Sequence, residues 1–130
     1  MDRKELIKLI ESIKLSKEEF VILSSSNLVI RGIMDRANDL DIAVTDKGLE
    51  ELNNNYNLIK KDNGWYIVTD KIECIQDNMD GKKEKIGEYY LQDMLDYLKF
   101  LEESNRPKDK DRIDIVKSYI RRNYGKCNRS

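Results

Sequence analysis

The sequence contains no histidine among its 130 residues. This absence excludes Ser-His-Asp and Cys-His catalytic sites, and it excludes the histidine-containing zinc sites as well. Only two cysteines are present, Cys74 and Cys127, and they are too far apart in the sequence to match a metal-binding spacing. We expect a core thiol and a tail thiol rather than a disulfide. Chemistry in this chain therefore has to use carboxylates, lysines, hydroxyl groups and metal ions bound by them.

Long apolar runs are also missing, since no stretch approaches the roughly 20 residues that a membrane-spanning helix needs. The first residues, MDRKELIKLIESIK, lack the apolar segment of a signal peptide, so we expect a cytoplasmic protein with no membrane partner. The net charge of −1 argues against a uniformly basic surface for nucleic acid. Residues 106–130 are nevertheless markedly basic, which leaves a local basic face for phosphate open.

The hydrophobic pattern predicts one α/β or α+β domain in which helices pack on a mixed sheet. Apolar and alternating runs predict strands at residues 20–23, 39–44, 58–61, 65–69 and 71–76. Helical periodicity predicts helices at residues 5–14, 28–31, 46–53, 91–103 and 108–124. We expect a turn at Asp62-Asn63-Gly64 and a charged loop over residues 81–87.

Asp39 and Asp41 begin the second predicted strand, which then turns apolar. Because side chains alternate along a strand, both carboxylates point to one face, with Cα atoms roughly 6.5–7 Å apart. Two such carboxylates can converge on one Mg²⁺ or share a pair of ions that holds the attacking and leaving oxygens of a phosphoryl transfer. Taken alone, Asp-x-Asp also fits an ordinary solvated strand end.

Ser24, Ser25 and Ser26 follow the first predicted strand and precede a predicted helix. Backbone amides at such a position, together with the helix dipole and the serine hydroxyls, form an anion site suited to a triphosphate. A simple helix cap is the alternative interpretation. Trp65 and Tyr66 either stack a base or pack in the core.

In combination, residues 20–44, FVILSSSNLVIRGIMDRANDLDIAV, resemble the signature of the nucleotidyltransferase superfamily, the DNA polymerase beta-like family. That signature has an apolar strand, a Gly-Gly or Ser-Ser turn, a short helix with Leu-Arg-Gly, and then Arg-x-x-Asp-hydrophobic-Asp-hydrophobic. Arg31-Gly32 and the run from Arg36 to Ile42 match it in order and spacing. The resemblance implies a nucleotidyltransferase-type mixed sheet flanked by helices, with C-terminal helices, in a single minimal domain over residues 1–130.

The later part of the chain resembles small bacterial nucleotidyltransferases of the abortive-infection and toxin–antitoxin type. Residues 96–99, DYLK, match their Asp-x-x-Lys motif, on a predicted helix where Asp96 and Lys99 share a face. Their final Arg…Lys-Asp-x-x-Asp motif matches in either of two registers, residues 106–109 (RPKD) or residues 110–114 (KDRID).

This resemblance implies that Mg²⁺ or Mn²⁺ supports transfer of a nucleoside monophosphate from a nucleoside triphosphate to an acceptor hydroxyl. It implies metal binding by Asp39 and Asp41 and a third carboxylate, for which Glu73 is the best candidate and Asp70 and Asp77 are rivals. Glu73 would be a general base or a shared metal ligand. The residues implied for nucleotide binding are Ser24, Ser25, Ser26, Arg36, Lys99 and Lys108.

The sequence departs from the family pattern at Ser24 and Ser25, where glycine is usual. If either position needs positive φ, serine costs roughly 1–2 kcal/mol there. The alternative function is therefore a catalytically degenerate nucleotidyltransferase fold that serves as a binding module or an antitoxin-like partner. A nucleic-acid-binding domain that uses the basic final helix is a further alternative. The acceptor (protein, RNA or small molecule), the preferred nucleotide and the oligomeric state stay open.

Overall fold

The structure, a computed structural model, describes residues 1–123 and contains helices together with a mixed sheet, as predicted. The predicted end of the final helix at Tyr124 and the tail thiol Cys127 lie outside the described residues. The chain divides into two compact units, one over residues 1–92 and the other from Asp93 onward. The single domain over residues 1–130 stays a prediction. None of the described helices combines the length and the apolar character that crossing a membrane requires.

The described residues form five α-helices and seven strands. The helices are α1 Arg3–Ser12, α2 Ser24–Ile30, α3 Asp46–Asn55, α4 Met94–Ser104 and α5 Lys110–Asn123. The strands are β1 Phe20–Ile22, β2 Leu40–Val44, β3 Ile59–Lys60, β4 Tyr66–Thr69, β5 Ile72–Gln76, β6 Lys83–Ile86 and β7 Tyr89–Gln92. They form one sheet in the order β3-β4-β5-β2-β1-β7-β6, in which β2–β5 and β1–β7 are parallel pairs and the other pairs are antiparallel.

Local side-chain chemistry fixes the helix ends. The carboxylate of Asp2 accepts the N–H of Glu5, and the Glu5 side chain accepts the N–H of Asp2, which is a capping box for α1. At the end of α2, Gly32 has a φ of +79°. Its N–H donates to Val29, and the N–H of Ile33 donates to Leu28. These two bonds form a Schellman motif, which needs a left-handed residue where Gly32 lies.

The strands of the sheet bury alternate residues on opposite faces. Leu40, Ile42 and Val44 of β2 belong to the main core together with residues of α1 and α2. Ala43 of the same strand belongs to a second apolar cluster with Val21, Leu23 and Met79. Since side chains alternate along a strand, Asp41 lies on the same face as Ala43. The main core therefore holds one face of β2, and the carboxylate is on the other.

The second unit contains α4 and α5, joined by a 3₁₀ turn over Pro107–Asp109. Asp93 caps α4 by accepting the N–H of Asp96, and Asn105 ends it in a left-handed conformation. Tyr97 is buried in this unit, and Arg112 donates a long hydrogen bond of 3.5 Å to its hydroxyl. Burial is the main cause that raises the pKa of Tyr97.

Several sequence predictions about local structure were wrong. Residues 81–87 are not a loop, because Lys83–Ile86 forms β6 and pairs antiparallel with β7. Helix α4 begins at Met94 rather than at Leu91, since Leu91 pairs with Ile22 in the sheet. Leu95 of this helix is 56% exposed, whereas Tyr97 is buried.

Candidate functional site

Asp41 and Glu73 are direct partners in the register of two parallel strands. Their neighbours Leu40, Ile42, Ile72 and Cys74 are all buried in the main core. Paired residues of adjacent strands point to the same face, and neighbouring strands lie roughly 4.8 Å apart. The structure thus brings together two of the three predicted carboxylates, both half-buried, on the face opposite the main core.

A buried serine hydroxyl holds the backbone of the Asp-x-Asp segment. Ser26 is fully buried; its hydroxyl donates to the carbonyl of Asp39 and accepts the N–H of Asp41, each at 3.1 Å. The N–H of Leu23 also donates to the carbonyl of Asp41 at 2.9 Å. The start of α2 therefore fixes the backbone on both sides of Leu40. In the structure the Ser26 hydroxyl positions the backbone of Asp39 and Asp41, and its role in nucleotide binding stays a prediction.

Asp39 lies in a bend directly before β2, which begins at Leu40 rather than at Asp39. Its side chain is half-buried. Within residues 1–123, no group of three or more acidic or cysteine side chains is placed so that it could hold a metal ion. The carboxylate pair is therefore Asp41 with Glu73, and Asp39 stands two residues before it.

Sequence reasoning missed Lys61, which lies in the same place. Its ammonium group is 2.7 Å from Oε1 of Glu73, and the two side chains are 38% and 30% exposed. Asp41, Lys61, Asn63, Trp65 and Glu73 line an open cleft of about 160 Å³. Lys61 precedes the predicted turn, but the pairing with Glu73 depends on how β3 and β4 lie against β5, and no local pattern predicts that.

The hairpin between β3 and β4 sets the position of this lysine. The N–H of Lys61 donates to the carbonyl of Trp65 at 2.7 Å, and the side chain of Asn63 accepts the N–H of Trp65 at 3.1 Å. Gly64 has a φ of +89°, which glycine adopts without strain. The predicted turn at Asp62-Asn63-Gly64 is confirmed. Trp65 packs against the second apolar cluster and also lines the cleft.

The serine turn has an unusual backbone. Ser24 is the first residue of α2 and has a φ of +56°. The position where the resembling family has glycine therefore does adopt positive φ, at a cost of roughly 1–2 kcal/mol for serine. The N–H of Ser24 donates to the side-chain oxygen of Gln92 at 3.1 Å. Ser24 and Ser25 are both half-exposed residues.

Arg31, part of the Arg-Gly motif, lies in the interior of the first unit rather than in the cleft. Its side chain is 1% exposed and is 2.6 Å from Glu84 of β6. It also donates to the side chain of Asn27 at 2.7 Å and to the carbonyl of Gln92 at 2.9 Å. Arg31 thus joins α2 to the β6–β7 hairpin.

The other predicted site residues of the first unit are not among the residues that line the cleft. Arg36 is exposed in the loop before β2. The pKa of the Asp2 carboxyl is lowered by the hydrogen bond from the N–H of Glu5 and also by the positive charge of Arg36. The rival carboxylate Asp70 is exposed in the turn between β4 and β5. Asp77 accepts the N–H of Met79 at 2.8 Å, which is a local turn contact.

The basic residues predicted from the later motifs belong to the second unit. Lys99 on α4 and Lys108 in the 3₁₀ turn are both exposed. Asp109 is 1% exposed, and Nε of Arg106 donates to it at 2.6 Å. In the register over residues 106–109, the motif aspartate is Asp109 and is therefore a buried structural residue. In the register over residues 110–114, the motif aspartate is Asp114 and is exposed.

No protein-family model matches the chain, and no curated protein matches it at a significant level. The resemblance of residues 20–44 to nucleotidyltransferases therefore stays a prediction from the sequence.

Proposed function

We propose that this chain is a metal-dependent nucleotidyltransferase. It transfers a nucleoside monophosphate from a nucleoside triphosphate to an acceptor hydroxyl and releases pyrophosphate. The observation that supports this most is the register of β2 with β5, which pairs Asp41 with Glu73 at an open cleft. The positive φ of Ser24, where the resembling family has glycine, is a second and independent support.

The carboxylates suit Mg²⁺ or Mn²⁺. Mg²⁺ is usually held by one or two carboxylates together with substrate phosphates rather than by a complete protein cage. Asp41 and Glu73 supply such a pair, and Asp39 is the candidate for a further ligand. When bound, the ion supplies Lewis-acid stabilisation of the charge on the phosphoryl oxygens.

The chain's own residues have distinct roles in this proposal. Glu73 accepts the proton of the acceptor hydroxyl as that oxygen attacks the α-phosphorus and the bond to pyrophosphate breaks. Ser26 keeps the two aspartate backbones in place through its buried hydroxyl. Ser24 and Ser25 are half-exposed residues, and in this proposal their hydroxyls donate to the triphosphate oxygens.

The test is labelling with α-³²P nucleoside triphosphates and Mg²⁺ or Mn²⁺ in cell extract, where acceptors of every class are present. Wild type is compared with Asp41→Asn and with Asp35→Asn, which removes an exposed aspartate away from the cleft. We expect a labelled product from wild type and Asp35→Asn but not from Asp41→Asn. Sensitivity of the product to protease or nuclease then identifies the acceptor class. Equal labelling by all three proteins would refute the proposal.

A second candidate function is a nucleotidyltransferase fold without catalysis that acts as a binding module. The Lys61–Glu73 pair favours it, because a lysine already occupies one oxygen of the candidate base. Calorimetry with Mg²⁺-ATP and Mg²⁺-GTP separates the two functions. Metal-dependent binding of a nucleotide supports the nucleotidyltransferase function. If the folded protein binds no nucleotide, the binding module is supported, and capture of a protein partner is the next step.

A further inference from the structure

Lys61 is the cation among the residues that line the cleft. The lining includes two carboxylates, Asp41 and Glu73, and one ammonium group, so its formal charge is −1. The ammonium group sits 2.7 Å from Glu73, at contact distance for a charge-assisted hydrogen bond. A hairpin whose turn is fixed by hydrogen bonds carries this lysine, so the fold places its backbone within reach of Glu73.

A divalent ion at the carboxylate pair would compete with this ammonium group. Both cations need the oxygens of Glu73, and two cations on one carboxylate repel each other. Because each side chain is about a third exposed, solvent screens the existing pair and Lys61 can leave Glu73 at little cost. The triphosphate of a nucleotide carries negative charge that gives the ammonium group another partner.

We propose that Lys61 is a resident counter-ion that weakens binding of a free divalent ion at Asp41 and Glu73. A bound triphosphate draws Lys61 away from Glu73, so that metal binds well only together with nucleotide. This inference rests on the proposed function, since it concerns the same carboxylate pair.

Lys60 provides a matched control in the same hairpin. It is the adjacent residue and carries the same charge, but it lies over the ring of Tyr66 at 5.9 Å, and Tyr66 packs against the main core. Lys60 pairs with Tyr66 in the register of β3 and β4, whereas Lys61 follows β3 and contacts Glu73. Lys60→Met therefore removes one positive charge from the hairpin without removing the partner of Glu73, which controls for the general gain of negative charge.

The experiment titrates Mn²⁺ alone into wild type, Lys61→Met and Lys60→Met, and measures free Mn²⁺ by electron paramagnetic resonance. We expect Lys61→Met to bind Mn²⁺ about fivefold more tightly than Lys60→Met. With a non-hydrolysable ATP analogue present, we expect this difference to fall below about twofold. Circular dichroism checks folding, and Lys61→Gln replaces Lys61→Met if the latter is unfolded.

Two results would overturn the inference. One is a difference of about twofold or less between Lys61→Met and Lys60→Met with Mn²⁺ alone. The other is a difference that the ATP analogue leaves unchanged.

The Asp41→Asn variant distinguishes failure of this inference from failure of the proposed function. If Asp41→Asn abolishes Mn²⁺ binding while the lysine variants agree, only the role of Lys61 is wrong. If Asp41→Asn in the Lys61→Met background binds Mn²⁺ as Lys61→Met does, the carboxylate pair is not the metal site and both proposals fall.

Discussion

Two ion pairs of the same sheet have nearly equal lengths but very different surroundings. Arg31 and Glu84 are 2.6 Å apart, and Lys61 and Glu73 are 2.7 Å apart. The arginine side chain is 1% exposed and has two further hydrogen-bond partners, whereas the lysine side chain is 38% exposed. Burial and additional partners, rather than distance, separate the fixed structural pair of Arg31 from the solvent-screened pair of Lys61.

The largest effect on stability is expected at Arg31. Arg31→Met removes the donors to the buried side chain of Asn27 and to the carbonyl of the buried residue Gln92, and it removes the cation beside Glu84, which is 35% exposed. We expect the free energy of unfolding to fall by about 3 kcal/mol. Urea denaturation of the variant and wild type measures this. A loss below about 1 kcal/mol would place Arg31 in the same class as an exposed pair.

The next effect concerns Cys74, the neighbour of Glu73 on β5 that points to the buried face. Burial raises the pKa of its thiol to about 11. The unfolded thiol ionises near its ordinary value of 9.0, so the stability that the buried neutral thiol contributes is complete below pH 9 and is lost as the pH rises to 11. This loss amounts to about 2 kcal/mol.

The measurement for Cys74 uses a Cys127→Ser background, so that one thiol is left. The free energy of unfolding is followed from pH 8 to 11 in this protein and in its Cys74→Ala derivative. We expect the derivative to lose about 2 kcal/mol less than its parent over this range. Parallel curves would show that the thiol ionises equally in the folded and unfolded chain, and thus that this face of β5 is not sealed from water.

The smallest effect is expected at Lys61. Lys61→Met breaks a pair in which both groups can be rehydrated, so we expect the free energy of unfolding to change by less than about 1 kcal/mol. The same urea denaturation used for Arg31→Met measures it. A loss as large as that of Arg31→Met would show that Lys61 is a structural residue, and the contrast between the two pairs would disappear.

The sequence predicts those parts of the fold that local chemistry determines. Alternation of apolar residues identifies β2 and the face of Asp41, and Asp62-Asn63-Gly64 identifies the β3–β4 turn. The β6 segment, KEKI, has three charged residues in four, and it becomes a strand because Tyr89–Gln92 pairs with it. Leu91 has helical spacing from Met94, but its pairing with Ile22 overrides that pattern.

In the candidate site too, the sequence predicts what local alternation determines and does not predict the tertiary contacts. Alternation along a strand predicts that Glu73 points away from the core, and the structure pairs it with Asp41. The role of the Ser26 hydroxyl depends on how α2 meets β2, and the partner of Glu73 depends on how a distant hairpin lies against β5. These are tertiary contacts between segments far apart in the sequence, so no local motif contains them.

The central claim is that the carboxylate pair of β2 and β5 supports nucleotidyl transfer, and the most direct test is the initial rate of labelled product. Asp41→Asn keeps the shape of the side chain and changes its charge, and Asp35→Asn is the matched control. We expect Asp41→Asn to lower the rate about 100-fold or more while its urea denaturation midpoint stays close to that of Asp35→Asn. A folded Asp41→Asn protein that forms product at a rate within about threefold of Asp35→Asn would contradict it.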